Sequence, residues 1–229
     1  MTSGCGLLMM HPGVKRSLDR IFVFWGLLIG FFASSAANHA FAQSVDQVVP
    51  VVENHYQELR DLTAKVTQKN FLKAIDKTQI FEGMLWIKKP GKLRLKYTNG
   101  QLILIDGKAA LFYSKNTEQV VKKTFTDIEQ MNIPVAFLLG AAHIRDDFEA
   151  FQPEVKNPRL VELTPKKTSA AMRKLRIQTD EVGRIVRLII FGITGNITEI
   201  EFTDLREDTG LDSKLFTFTA PKGTETIEQ

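Results

Sequence analysis

Few residues in this chain combine the type and spacing that chemistry needs. Beyond residue 42 there are two histidines, His55 and His143, far apart and each without a second ligand at metal spacing. Each reads as a partly buried or surface histidine. Asp106 precedes Gly107 and reads as a turn former. Asp146-Asp147 reads as a helix-end or solvated pair rather than a paired-carboxylate site. The single cysteine, Cys5, precedes an apolar run, so the rest of the chain has no thiol nucleophile, disulfide or cysteine metal site. No G-x-S-x-G elbow, phosphate-cradling glycine loop or H-E-x-x-H helix occurs. The expectation is a protein that is not an enzyme, with no cofactor and no metal.

The start of the chain reads as an export leader. Lys15, Arg16 and Arg20 precede an apolar run from Ile21 to Phe32, and Ala40-Phe41-Ala42 has the small-x-small form of a cleavage site. The apolar run is shorter than the roughly twenty residues a membrane span needs. Residues 1–42 are therefore expected to be a cleavable signal peptide and 43–229 a single domain outside the cytoplasm. Cys5 leaves with the leader, so no lipid anchor is expected on the mature chain. A domain of 187 residues, the 229 less the leader's 42, can hold itself by its core without disulfides. The leader carries three of the 30 Lys and Arg and one of the 26 Asp and Glu, which leaves 27 against 25. That balance is not that of a nucleic-acid binder. Lys88, Lys89, Lys92, Arg94 and Lys96 form a local basic strip. It reads as a solvated outer face, with contact to a partner or to anionic headgroups as the alternative.

The chain is organised around Glu82 to Val120. Leu93, Leu95 and Tyr97 alternate with Lys92, Arg94 and Lys96, and side chains on a strand change face at every residue. Lys89-Pro90-Gly91, Asn99-Gly100 and Asp106-Gly107 sit where turns belong. The stretch is an antiparallel meander with one apolar face that must be covered. Before it, Val48, Val52, Tyr56 and Leu59 make one helical face, with the regular helix expected to start near Pro50. Asp61 to Phe71 and Gln79 to Lys88 read as strands, with Gly83 marking a bulge or bend. After the meander, Pro134 opens a short apolar helix ended by Gly140. It can be a core plug or a movable lid, and its composition favours the plug. Ala141 to Phe148 can form a further helical turn. Strands return at Leu160–Pro165, Met172–Thr179, Arg184–Phe191, Asn196–Asp204 and Leu215–Thr219. The whole predicts a strongly curved antiparallel sheet of ten or eleven strands with a few short helices on its concave side.

An ordered set of short motifs resembles the periplasmic outer-membrane lipoprotein carrier family (LolA). They are Lys88-Lys89-Pro90, Arg94-Leu95, Asp106-Gly107-Lys108, Leu111-Phe112-Tyr113, Glu118-Gln119-Val120, Leu163-Thr164-Pro165 and the run Phe216 to Gly223. The resemblance spans essentially the whole mature chain. It implies an unclosed antiparallel β-barrel with helices as a lid over a hydrophobic cavity. The wall would take Leu85, Ile87, Leu93, Leu95 and Tyr97 from the second and third strands, and Leu102 and Leu104 from the fourth. The lid would be Ile133, Val135, Phe137, Leu138 and Leu139, and Lys89 the lid latch. The family often has Arg at the latch, and an ammonium lacks the planar fork of a guanidinium, so the lid is expected to close more loosely. Leu95 and Leu111 stand where the family has an aromatic and a Trp, which reshapes the cavity. The implied function is a soluble periplasmic chaperone, a monomer. It takes acylated lipoproteins from an inner-membrane ATP-driven exporter and hands them to an outer-membrane acceptor. The alternative is a lipoprotein- or envelope-stress-sensing regulatory module on the same fold.

Overall fold

The structure is a computed structural model that describes residues 45–124, 144–153, 157, 159–169 and 171–228. The expected leader, the helix near Pro134, the lid residues and His143 lie outside the described residues.

One sheet carries the fold. Among the described residues it has twelve strands in the order β12-β6-β5-β4-β3-β2-β1-β11-β10-β9-β8-β7. In chain order they are β1 (Asp61–Leu72), β2 (Lys77–Lys88), β3 (Lys92–Tyr97), β4 (Gln101–Asp106), β5 (Ala109–Ser114), β6 (Gln119–Thr124), β7 (Phe148–Phe151), β8 (Leu160–Pro165), β9 (Met172–Thr179), β10 (Ile185–Gly192), β11 (Ile197–Glu207) and β12 (Glu225–Glu228). All neighbours are antiparallel except β12, which runs parallel to β6. The end strands β12 and β7 do not pair, so the curved sheet stays unclosed. Two antiparallel ladders, β2 to β6 and β7 to β11, are joined through β1, which pairs with both β2 and β11.

The meander forms where the turn residues require it. Gly91, Gly100 and Gly107 all take positive φ. Asp106 accepts the backbone N–H groups of Lys108 and Ala109 at 2.9 Å each, as a turn former does. Gly83 has a different role from the bulge expected of it. The β1–β2 register runs through it without a shift, and the β2–β3 register ends on it with Tyr97 opposite. A Cβ there would stand 2.5 Å from the Lys96 carbonyl oxygen. Glycine is needed because two backbones approach closely. Gly83→Ala should lower stability by about 2 kcal/mol, the cost of forcing a methyl into a filled space. A urea midpoint equal to that of the native chain would show that β3 can move away freely.

Helix α1 (Val45–Glu58) lies on one face of the sheet. A 14-residue helix is marginal alone, so packing must hold it. Val48, Val49, Val52 and Tyr56 are buried, and they join Leu62, Ala64, Leu85, Ile87 and Leu93 in one core. Pro50 lies inside the helix rather than at its start. Its missing N–H removes one bond near the first turn, and the buried valines on either side outweigh that loss. The Tyr56 hydroxyl accepts the Ile185 N–H at 3.2 Å, and the His55 Nε2 lies 2.8 Å from the Glu207 carboxylate. His55 is thus a tie between α1 and β11. Helix α2 (Ile144–Asp147) is a single turn leading into β7, a strand the sequence pattern did not predict; Asp146 and Asp147 are exposed there.

The expected strand Leu215–Thr219 is not one. A 3-10 turn covers Ser213–Phe216, and the chain joins the sheet only at β12. The alternation of Phe216 and Phe218 reflects packing on the sheet rather than pairing in it. Phe216 is buried, and the Phe218 ring lies 5.1 Å from that of Tyr113. Arg94 donates to the Leu215 and Thr217 carbonyls, and Lys88 to the Leu211 carbonyl. Part of the basic strip therefore anchors this tail.

Candidate functional site

The ladder registers decide which residues share the face covered by α1. Cross-strand partners lie on the same side of a sheet. One row runs Leu62, Ile87, Leu93, Ile105, Ala110 across β1 to β5. Every member is nearly inaccessible, at 2% exposure or less. The next row runs Ala64, Leu85, Leu95, Ile103, Phe112, Val121 across β1 to β6. Ala64 and Leu85 are sealed, but Leu95, Ile103, Phe112 and Val121 are only half-buried. On the other limb of the sheet Ile190 and Ile200 are likewise half-buried against the same core. The face under α1 is therefore filled at one end and open at the other.

The open part holds a recess of about 280 Å³ lined by Tyr97, Leu102, Ile103, Phe112, Tyr113 and Val121, together with the polar Gln101, Ser114, Thr117 and Gln119. The Tyr97 hydroxyl donates to Gln68 Oε1 at 2.6 Å, and burial pushes its pKa up to about 12. It stays a neutral donor, and the wall carries no charge at that point. Such an uncharged surface can take up hydrocarbon.

The family model for the outer membrane lipoprotein carrier protein LolA matches residues 57–219. The chain belongs to the LolA family. An outer-membrane lipoprotein carrier protein of Cupriavidus taiwanensis is 26% identical over 215 residues, 92% of this chain and 99% of its own length. Another, from Nitrosomonas europaea, is 27% identical over 191 residues, covering 78% of this chain and 91% of that protein. The crystal structure of an uncharacterized conserved protein from Thermus thermophilus superposes with a TM-score of 0.50 at 13% identity, over 82% of this chain and 100% of that one. That last likeness shows the fold alone.

Within this LolA fold the seven wall residues named from the sequence separate into three groups. Leu85, Ile87 and Leu93 lie on the α1 face but are sealed in the core. Leu95 and Tyr97 reach the open part. Leu102 and Leu104 have the register of the opposite face, pairing with Lys96 and Arg94, although Leu102 also borders the recess. They are buried there, with Leu104 beside Phe216 of the tail. Ile103, Ile105, Phe112, Val121, Ile190 and Ile200 face the α1 side and were missed. Hairpin arithmetic could have found Ile103: the Asn99-Gly100 turn sets Lys96 against Leu102, and Lys96 belongs to the wet face.

Lys89 sits at the sealed end, where its N–H donates to the Arg60 carbonyl at 2.9 Å. Among the described residues its ammonium has no hydrogen bond or ion pair, and partial burial lowers its pKa. A larger recess, about 980 Å³, lies on the face away from α1. Met84, Trp86 and Tyr113 line it, but so do Lys65, Glu82 and Lys96. Hydrocarbon in that recess would desolvate charges, so the smaller recess, with no charged residue in its lining, is the better candidate. No helix among the described residues is long and apolar enough to cross a membrane.

Proposed function

We propose that this LolA-family chain is a soluble periplasmic carrier that binds the acyl chains of lipoproteins and delivers them to the outer membrane. The observation that carries this reading is the half-open row Leu95, Ile103, Phe112, Val121 on the α1 face of the sheet. The carrier protein names of the Cupriavidus and Nitrosomonas relatives support it. Burying acyl chains is worth about 0.8 kcal/mol per methylene, so three chains of about fifteen would cost roughly 35 kcal/mol to expose. No free triacylated protein crosses water at that cost.

A recess of about 280 Å³ is at the small end for even a drug-sized ligand. Loading must open more volume on the same face. On the strength of the family resemblance, Ile133, Val135, Phe137, Leu138 and Leu139 are proposed as the lid that yields it, with Lys89 as the latch and residues 1–42 as the export leader. The partners proposed on the same ground are an inner-membrane ATP-driven exporter and an outer-membrane acceptor. The carrier acts as a monomer, without a cofactor and without catalysis.

Native mass spectrometry of the protein taken from periplasm without detergent tests the reading. A triacylated lipoprotein bound one to one is expected. A bare protein that stays empty after incubation with membranes and the energised exporter would overturn it.

A further inference from the structure

We propose that the rim where the β1–β2 and β10–β11 hairpins meet is a contact site for the surface of an anionic lipid bilayer. The two hairpin tips touch. The Lys73 N–H donates to Asn196 Oδ1 at 3.0 Å, and a Cβ on Gly195 would come 2.5 Å from the Lys73 side chain. Ile75 and Ile193 protrude from these tips and Ile80 from β2 just behind them, exposed by 58%, 53% and 61%. Single exposed apolar residues are ordinary, but clusters of them mark contact surfaces. Seven large apolar side chains are exposed among the described residues, and three of them gather here.

The strip continues on the sheet face away from α1. Phe71 pairs with Ile197, and Ile197 with Phe191, all half-buried. Lys174 and Arg176 lie 5.0 and 5.2 Å from the centre of the Phe191 ring. The hairpin also projects. β3 ends at Tyr97 opposite Gly83, whereas β2 begins at Lys77, so six residues of β2 extend past their neighbour.

Charge selects the occupant. Glu162 is held by Lys174 and Arg176, and Glu199 by Arg187 and Lys69. That leaves exposed Lys73, Lys77 and Arg173 against Asp76 and Glu82, a cationic excess of one. Arg173, on β9, reaches the second hairpin by donating to the Gly192 carbonyl. Protruding isoleucines offer a protein partner no pocket, but they can enter the headgroup layer while the cations meet anionic lipid. The site is separate from the acyl recess and stands whether or not the chain carries lipoproteins.

Flotation of the purified, delipidated chain with vesicles tests it. The vesicles are phosphatidylethanolamine with phosphatidylglycerol, or phosphatidylcholine alone. The native chain should float with the first at low salt and not with the second. Replacing Ile75, Ile80 and Ile193 by serine should cut the bound fraction about fivefold or more, as should K73E with K77E, in proportion to the contacts removed. These side chains are exposed, so thermal midpoints should not move; a variant that does unfold is replaced by the single changes. I103D, in the acyl recess, should float like the native chain. Native chain that stays in solution overturns the proposal. So does equal binding to phosphatidylcholine, undiminished binding by both rim variants, or a loss on I103D that matches theirs.

Discussion

Ile103→Asp should cut the cargo recovered with the protein about tenfold or more, with little change in fold. Ile103 stands mid-row between Leu95 and Phe112, half-buried on the open part of the wall. In the empty protein a carboxylate there keeps part of its hydration. When hydrocarbon enters, that hydration must go, and an unpaired charge against an apolar ligand costs several kcal/mol. About 1.4 kcal/mol already gives a factor of ten. The comparison is Lys96→Gln, one strand over and on the opposite face, which should carry cargo like the native chain. Native mass spectrometry gives the loaded fraction, and a urea titration checks that both variants fold. Equal loading of I103D and the native chain would place the hydrocarbon elsewhere.

Asp61→Ala should lower stability by about 3 kcal/mol at neutral pH, among the largest effects of any polar change in the chain. Asp61 is 4% exposed, at the start of β1. Its carboxylate accepts from the Thr209 N–H at 2.8 Å, the Thr209 hydroxyl at 3.0 Å, the Gly210 N–H at 2.9 Å and the Leu211 N–H at 3.2 Å. Alanine leaves those donors without their acceptor at the point where the tail leaves β11. Burial alone would raise the Asp61 pKa; the donors from Thr209, Leu211 and Gly210 together outweigh it and hold the pKa below its ordinary 3.8. The sign for stability follows. The folded state binds the proton less readily than the unfolded state, so the contribution is complete above pH 3.8 and is lost as pH falls through the folded value. Native and D61A urea midpoints should therefore converge only in acid below that pH. A constant gap down through the acid range would show that the charge of Asp61 is not what the tail needs.

What the sequence made legible follows from where alternation was pure. Leu93, Leu95 and Tyr97 have polar neighbours on both sides, all but Thr98 charged, so their face could be assigned without a structure. In Leu102-Ile103-Leu104-Ile105 every residue is apolar, and period two has no phase to read. The reason is physical: β4 is covered on both faces, by the α1 core on one and by Phe216 of the tail on the other. The tail misled in the reverse way. Its alternating phenylalanines look like a strand, yet what they alternate against is a sheet beneath them. Asp61 gave no local signal, because its partners lie at Thr209 to Leu211. Gly83 read as a bulge or bend, and the close approach became legible only with the Lys96 carbonyl placed beside it.

The pairing of β1 with β11 makes the molecule unequal in time. Strands β2 to β6 are joined by tight turns, and each can find its neighbour within microseconds. The contacts that join β1 to the far limb span as many as 150 positions, and the entropy of closing that loop must be met before they return anything. The two ladders are thus ready early, and the seam between them, with its Asp61 cradle and the His55–Glu207 tie, is sewn last. What closes last with few local contacts to hold it also opens first. Proteolysis or slow unfolding should enter along this seam, near Asp208 to Leu211, and leave the meander standing longest.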